Sequence, residues 1–100
     1  MVKHINENEF KQFVSENSLC VVDFYADWCG PCRMLAQELE EVSSEKGLVI
    51  GKVNVDDNEN LAMEFNVRNI PFLVVFKDGK MVKSLVGYRS KEQLVSEIYG

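Results

Sequence analysis

The residues with the clearest chemistry are two cysteines in the stretch Trp28-Cys29-Gly30-Pro31-Cys32. Pro31 is favoured in the first turn of a helix, because its missing N–H would have no intrahelical partner there. The stretch therefore predicts a corner between a strand and a helix, with Cys29 at the N-cap. Residues three apart in a first turn share one face, which brings their Cα atoms within the span of a disulfide.

The predicted corner gives the two thiols different roles. The helix dipole and the backbone N–H of Cys32 would both favour a thiolate at Cys29. The thiolate is the form that attacks a disulfide. We interpret Cys29 as the nucleophile and Cys32, deeper in the helix, as the resolving thiol of a dithiol–disulfide exchange.

Two other interpretations of the cysteine pair are less consistent with the sequence. A zinc site needs four ligands, whereas the chain adds only His4, on a predicted edge strand, and Cys20, within a buried strand. A structural disulfide that closes so short a loop would stabilise little. The sequence favours a reactive dithiol over both. Cys20 itself is interpreted as a small buried hydrophobic residue, with a regulatory or dimerising thiol as the alternative.

Asp23 and Lys52 are candidates for proton transfer. Asp23 interrupts an apolar strand, where burial disfavours the charged form and raises the pKa of a carboxyl group. Such a group could exchange protons near neutral pH, or it could be a buried structural acid. Lys52 lies in the next apolar strand, where it could pair with Asp23 or extend into water.

Composition limits the possible classes of protein. The chain has 100 residues and a net charge of −5, and 46% of it is hydrophobic, as in one soluble globular domain. The negative charge argues against nucleic acid as a partner, and no apolar run approaches the roughly 20 residues that span a membrane. Three cysteines indicate a reducing compartment. The first residues resemble no secretory segment, so we expect the protein in the cytoplasm.

The order of elements predicted from periodicity and turn residues is βαβαβαββα. Strands are expected over residues 2–5, 19–26, 48–55, 72–77 and 81–86, and helices over 7–16, 32–46, 58–65 and 90–99. Alternating strands and helices predict an α/β fold with a partly parallel sheet and helices on both faces.

Polar residues mark the predicted ends of these elements. Asn6 with Glu9, and Ser90 with Gln93, have the spacing of capping boxes. Gly47 is a helix stop, Asp78-Gly79 is a hairpin turn, and either Asn58 or Asn60 would cap the third helix. These residues set the ends of the elements around the cysteines.

These motifs together resemble the thioredoxin family. The stretch WCGPC follows VDFYADW, and Asn69-Ile70-Pro71, Asp78-Gly79 and Val86-Gly87 come after it in the family's order, over nearly the whole chain. The resemblance implies a central mixed sheet flanked by helices and a general protein-disulfide reductase. It implies that Cys29 attacks, that Cys32 resolves, and that Asp23 with Lys52 handles protons.

The resemblance also implies a groove for client peptides. The bond before Pro71 would be cis and lie beside the dithiol, although most X–Pro bonds are trans and the residues alone favour trans. The backbone of Ile70 would pair with a bound peptide. Other residues would border the groove: Trp28, Gly30, Pro31 and Gly87.

The expected partners are disulfide-containing client proteins and a thioredoxin reductase, a flavoprotein that draws on NADPH. The chain has no nucleotide-binding glycine motif, so we expect no bound cofactor and electrons supplied by another protein. A monomer without membrane or nucleic-acid contacts is expected. The alternatives are an oxidant or isomerase of the same fold, which the Gly30-Pro31 dipeptide disfavours, and a non-catalytic binding subunit.

Three residues depart from the family's usual pattern. Gln37 replaces a proline that kinks the long helix, so we expect a straighter helix here. Phe72 replaces a threonine after Pro71 and is expected to reshape the groove floor. Tyr25 stands where many members have tryptophan.

Overall fold

The computed structural model describes residues 1–100 as five strands and four helices. The order is the predicted βαβαβαββα. The elements are β1 (Val2–His4), α1 (Phe10–Glu16), β2 (Leu19–Tyr25), α2 (Gly30–Lys46), β3 (Val49–Asn54), α3 (Glu59–Glu64), β4 (Phe72–Lys77), β5 (Lys80–Val86) and α4 (Lys91–Tyr99).

The strands form one mixed sheet in the order β1-β3-β2-β4-β5. The pairs β1–β3 and β2–β3 are parallel, whereas β2–β4 and β4–β5 are antiparallel. Strands β2 and β3 are therefore interior, which explains why their sequences are apolar on both faces. The predicted α/β class with a mixed sheet is confirmed.

The two faces of the sheet pack against different helices. Side chains of a strand alternate between faces, and the even residues of β2 join the core with α1 and α3: Cys20, Val22, Phe24, Phe10, Phe13, Leu61 and Ala62. The odd residue Val21 packs with Leu35 and Leu39 of α2. Asp23 and Tyr25 have the parity of Val21, so they lie on the face that α2 covers.

Some predicted ends need correction. Helix α1 begins at Phe10 rather than at residue 7, and residues 7–9 form turns before it. The predicted capping bonds do form, since Asn6 N–H donates to Glu9 Oε1 at 2.9 Å and Glu9 N–H donates to Asn6 Oδ1 at 3.1 Å. They close the preceding turn instead of capping the helix.

The third helix also starts differently from the prediction. Asn58 occupies the N-cap of α3, but its side chain makes no capping bond. Its amide donates to Asn54 O at 2.9 Å, and its Oδ1 accepts from Glu7 N–H at 2.9 Å. Asn58 therefore ties the loop after β3 to the start of the chain.

Helix α2 begins at Gly30 rather than at residue 32, and the remaining elements, apart from α1 and β4, differ from the prediction by one residue at one or both ends. The predicted stop, hairpin turn and last capping box hold. Gly47 ends α2 with φ 71°, and Asp78 and Gly79 turn the β4–β5 hairpin with φ 52° and 81°. Ser90 and Gln93 form both bonds of a capping box. Helix α2 is continuous through Gln37, and its straightness stays a prediction. None of the four helices has the length and apolar character needed to cross a membrane.

Candidate active site

The two cysteines lie at the corner between β2 and α2. Cys29 is the N-cap of α2 with extended backbone, and Pro31 lies in the first turn. The N–H of Cys32 donates to Cys29 Sγ at 3.2 Å. The two residues are joined by a disulfide with their Cα atoms 5.2 Å apart, so the N-cap geometry predicted from the sequence is confirmed.

The disulfide is buried, and the residue that precedes it carries an exposed aromatic side chain. Cys29 and Cys32 are 5% and 2% exposed, and with Ala26 they form a small apolar cluster. Trp28 is 69% exposed, and its indole Nε1 donates to Asp56 Oδ2 at 3.0 Å. The indole is thereby tethered to the loop after β3, and most of its surface stays open to solvent.

A loop segment after α3 closes the other side of the disulfide. The Ile70–Pro71 bond is cis, as the resemblance implies and against the expectation from the residues alone. The carbonyl oxygen of Ile70 lies 3.9 Å from Cys29 Sγ, and Pro71 O accepts from Gly87 N–H at 2.8 Å. Ile70, Pro71 and Gly87 are therefore brought together beside Cys29.

Asp23 and Lys52 form an ion pair beneath the active-site corner. Asp23 Oδ2 lies 3.5 Å from Lys52 Nζ, and the side chains are 1% and 12% exposed. Neither carboxylate oxygen accepts a hydrogen bond. Burial raises the pKa of Asp23 to about 6, and the nearby Lys52 charge opposes that rise. The pairing that the sequence left open is confirmed.

A small cavity lies between Cys32 and Lys52 of this ion pair. Its volume is about 120 Å³, and both Cys32 and Lys52 line it, together with Tyr25, Ala26, Asp27, Arg33 and Ala36. A space of this size has room for a few water molecules, each taking roughly 30 Å³. The cavity therefore links the inner thiol to Lys52, the ion-pair partner of Asp23, while the Asp23 carboxylate itself lies behind the cavity wall.

Sequence reasoning did not find two contacts of the site. Asp56 accepts a hydrogen bond from the Trp28 indole, and no pattern in the sequence indicated this. The ring of Tyr25 lies 4.6 Å from Lys52 Nζ, and only the shared parity of Asp23 and Tyr25 on β2 could have suggested it.

Phe72 and Cys20 are core residues. Phe72 is half-buried and packs toward the α1 and α3 face, with its ring centroid 6.1 Å from that of Phe24. Its effect on the groove floor stays a prediction. Cys20 has no exposed surface, and burial raises the pKa of its thiol to about 11, as expected of a buried hydrophobic residue.

The sequence as a whole matches the family model described as Thioredoxin over residues 1–99. The chain belongs to the thioredoxin family. It is 48% identical over 96 residues to the thioredoxin of Listeria monocytogenes, covering 94% of this chain and 92% of that protein. It is 44% identical to the thioredoxin of Chlamydia pneumoniae, covering 98% of this chain and 96% of that protein.

Solved thioredoxin structures have the same fold. A mutant thioredoxin of Halobacterium salinarum matches with a TM-score of 0.92 at 36% identity, over 97% of this chain and 87% of that one. The oxidised mitochondrial thioredoxin 3 of Saccharomyces cerevisiae matches with a TM-score of 0.87 at 32% identity, over 99% and 93%.

Family and site together establish the activity in general terms. The chain is a protein-disulfide oxidoreductase with a redox-active Cys29–Cys32 pair, and it has disulfide reductase function. As in other thioredoxins, its partners are in general a reductase and disulfide-containing client proteins.

Proposed function

We propose that residues 1–100 act as one cytoplasmic thioredoxin domain, with Cys29 as nucleophile and Cys32 as resolving thiol. The observation that carries the assignment is the N-cap position of Cys29, whose sulfur accepts the N–H of Cys32 at 3.2 Å. That bond and the positive end of the α2 dipole both stabilise a thiolate at Cys29. Cys32 is one turn further in and less exposed.

The first step forms a mixed disulfide. The Cys29 thiolate attacks one sulfur of a client disulfide, the client S–S bond breaks, and a bond forms between Cys29 Sγ and that sulfur. The other client sulfur leaves as a thiolate and takes a proton from solvent. At this stage one client sulfur is a thiol, and the other is still held in the mixed disulfide with Cys29.

The second step releases the client. The Cys32 thiol gives its proton to the Asp23 carboxylate by way of the cavity that Cys32 shares with Lys52, and the resulting thiolate attacks Cys29 Sγ. The client's second sulfur leaves and is protonated, and Asp23 returns to its ionised form. The client has then gained two electrons and two protons, and the chain holds the Cys29–Cys32 disulfide.

Lys52 keeps Asp23 available for this step. Without a nearby positive charge, burial would raise the pKa of Asp23 further and keep it protonated at neutral pH. With Lys52 at 3.5 Å, the pKa is about 6. At pH 7 most of the carboxylate is therefore free to accept a proton.

The groove around Cys29 is the proposed client site. The N–H of Ile70 makes no hydrogen bond within the chain, so it is free to pair with an extended client backbone. Gly87 has φ 91°, a conformation that favours glycine and leaves this wall of the groove without a side chain. The other residues proposed to border the groove are Trp28, Gly30, Pro31 and Pro71.

The proposed source of electrons is a thioredoxin reductase. After each cycle the Cys29–Cys32 disulfide must be reduced, and a flavoprotein that draws on NADPH would supply the two electrons. We propose that the chain works as a monomer, binds no cofactor, and contacts neither membranes nor nucleic acids. Its net charge of −5 supports the last point.

Cysteine variants test the proposed roles. With a disulfide-bonded model protein as client, Cys29→Ser and Cys32→Ser should each abolish turnover. Cys32→Ser should accumulate a mixed disulfide on Cys29, seen on a non-reducing gel, and Cys29→Ser should not. Cys20→Ser is the matched control and should keep full activity. A mixed disulfide trapped through Cys32 in Cys29→Ser would mean that the two roles are reversed. Activity without both thiols would support a non-catalytic binding subunit.

A redox titration separates a reductant from an oxidant. The reduction potentials of thioredoxins are about −270 mV, and those of strongly oxidising relatives are about −120 mV. We expect the Cys29–Cys32 pair, titrated in the Cys20→Ala background, to lie at the reducing end. A potential at the oxidising end would support the oxidant or isomerase alternative.

A further inference from the structure

Lys52 is contacted by two residues of strand β2. Asp23 is its register partner across the β2–β3 pair, and Tyr25 is opposite Asn54, two residues further along. Asp23 Oδ2 lies 3.5 Å from Lys52 Nζ, and the Tyr25 ring centroid lies 4.6 Å from the same nitrogen. The ammonium group is thus held between a carboxylate and the face of a phenol ring.

The phenol ring crosses the strand that carries Lys52. Strand β3 lies between β1 and β2 in the sheet. The hydroxyl of Tyr25 on β2 lies 3.0 Å from Nδ1 of His4 on β1, and the two rings meet edge to face with centroids 5.8 Å apart. Since His4 is the register partner of Lys52, the Tyr25–His4 contact spans β3 at the position of the ammonium group.

We infer that Tyr25 is a positioning residue, whose ring holds the Lys52 ammonium group against Asp23. This inference rests on the proton-transfer roles of Asp23 and Lys52 under the proposed function. A cation over an aromatic face is attracted by the ring quadrupole, and the attraction is larger where water is excluded. Lys52, with a side chain 12% exposed, meets that condition.

Removal of the ring would let Lys52 turn away from Asp23. A lysine side chain has a flexible stem and readily extends its charge to water. Several groups line the two cavities that reach Lys52: His4, Glu9, Tyr25, Asp27, Cys32, Arg33, Asn54 and Asp57. The acidic residues among them, Glu9, Asp27 and Asp57, are exposed. They would therefore draw the freed ammonium group outward. Asp23 would then be a buried carboxylate with a weaker counter-charge.

The titration of Asp23 tests this inference directly. It can be followed by ¹³C NMR of the carboxyl carbon in the oxidised protein, where Cys29 and Cys32 do not titrate. We expect Tyr25→Leu to bind the Asp23 proton about fivefold more tightly, a shift of the midpoint by about 0.7 pH unit upward. Tyr25→Phe keeps the ring and should keep the midpoint. An unchanged or lower midpoint in Tyr25→Leu, or an equal shift in Tyr25→Phe, would overturn the inference.

The rate of mixed-disulfide resolution gives a second readout. At pH 6 the ionised fraction of Asp23 should fall about threefold in Tyr25→Leu, and the rate with it, whereas the rate at pH 8 should be unchanged. Thermal unfolding would show whether Tyr25→Leu folds, and Tyr25→Met is the substitute if it does not. The NMR midpoint requires no turnover, so it can fail while the proposed function stands. Loss of the proposed proton step would appear instead as an unaffected resolution rate in Asp23→Asn.

Discussion

Replacement of Asp23 by asparagine should stabilise the protein at neutral pH. Asp23 is 1% exposed and accepts no hydrogen bond, and burial raises its pKa from 3.8 to about 6. A difference of about two pKa units between the unfolded and folded states corresponds to about 3 kcal/mol, at 1.36 kcal/mol per unit. Asn has nearly the same shape and carries no charge, so it should recover about that amount.

The sign of the pH dependence is specific. The folded pKa of Asp23, about 6, exceeds the ordinary value of 3.8, so the folded state binds the proton more tightly than the unfolded state. The contribution of the protonated Asp23 side chain to the free energy of unfolding is fully present below pH 3.8 and is lost as the pH rises through about 6. The stability gained in Asp23→Asn should therefore be near zero at about pH 4 and complete by about pH 7.

Urea denaturation of the oxidised protein at pH 4 and pH 8 measures this difference. Asp57→Asn, at an exposed position in the loop after β3, removes one carboxylate without changing burial and should alter the free energy of unfolding little at either pH. Equal stabilisation by Asp23→Asn at both pH values would refute the reasoning, because the gain could then not come from a buried charge. Destabilisation at pH 8 would also refute it.

Three further outcomes follow from burial, packing and capping. Cys20, with no exposed surface, should react with a thiol probe only on unfolding, measured in the protein with Cys29 and Cys32 oxidised; rapid labelling of the folded state would contradict this. Gly51→Ala should lower the free energy of unfolding by about 1–3 kcal/mol, since the new Cβ would lie 2.9 Å from the Phe13 ring; an unchanged urea midpoint would disprove the clash. Ser90→Ala should cost about 1 kcal/mol by losing its bond to Gln93, measured against the exposed Ser84→Ala as control.

Periodicity and turn residues were sufficient to predict the order of elements, since each signal is local. The apolar run of β2, the helical spacing in α2 and the Asp78-Gly79 turn all depend on neighbours in sequence. The errors fall where a distant contact competes with a local one. Asn58 bonds to Glu7, fifty-one residues away, and therefore leaves the N-cap of α3 without the side-chain bond that the local pattern favours.

The candidate site was only partly predictable for the same reason. Gly30 and Pro31 define the Cys29 N-cap within one turn of chain, so the thiol geometry could be derived from residue types. Whether Asp23 lies on the face covered by α2 depends on which helix packs on which side of the sheet, and residue parity alone cannot decide that. The bond of Trp28 to Asp56 joins two loops, and no local pattern encodes it.

The environment of Asp23 explains why a charge is kept inside this core. A cost of about 3 kcal/mol is a large share of the roughly 5–15 kcal/mol that keeps a domain folded. A hydrogen-bond donor beside the carboxylate would reduce that cost, but it would also lower the pKa of Asp23 below the range useful for accepting a proton from a thiol. Lys52 at 3.5 Å, held by Tyr25, offsets part of the burial while leaving the pKa near 6. The loss of stability and the proposed proton transfer are therefore two consequences of one arrangement. Asp23→Asn should raise the free energy of unfolding at neutral pH and slow the resolution of the mixed disulfide.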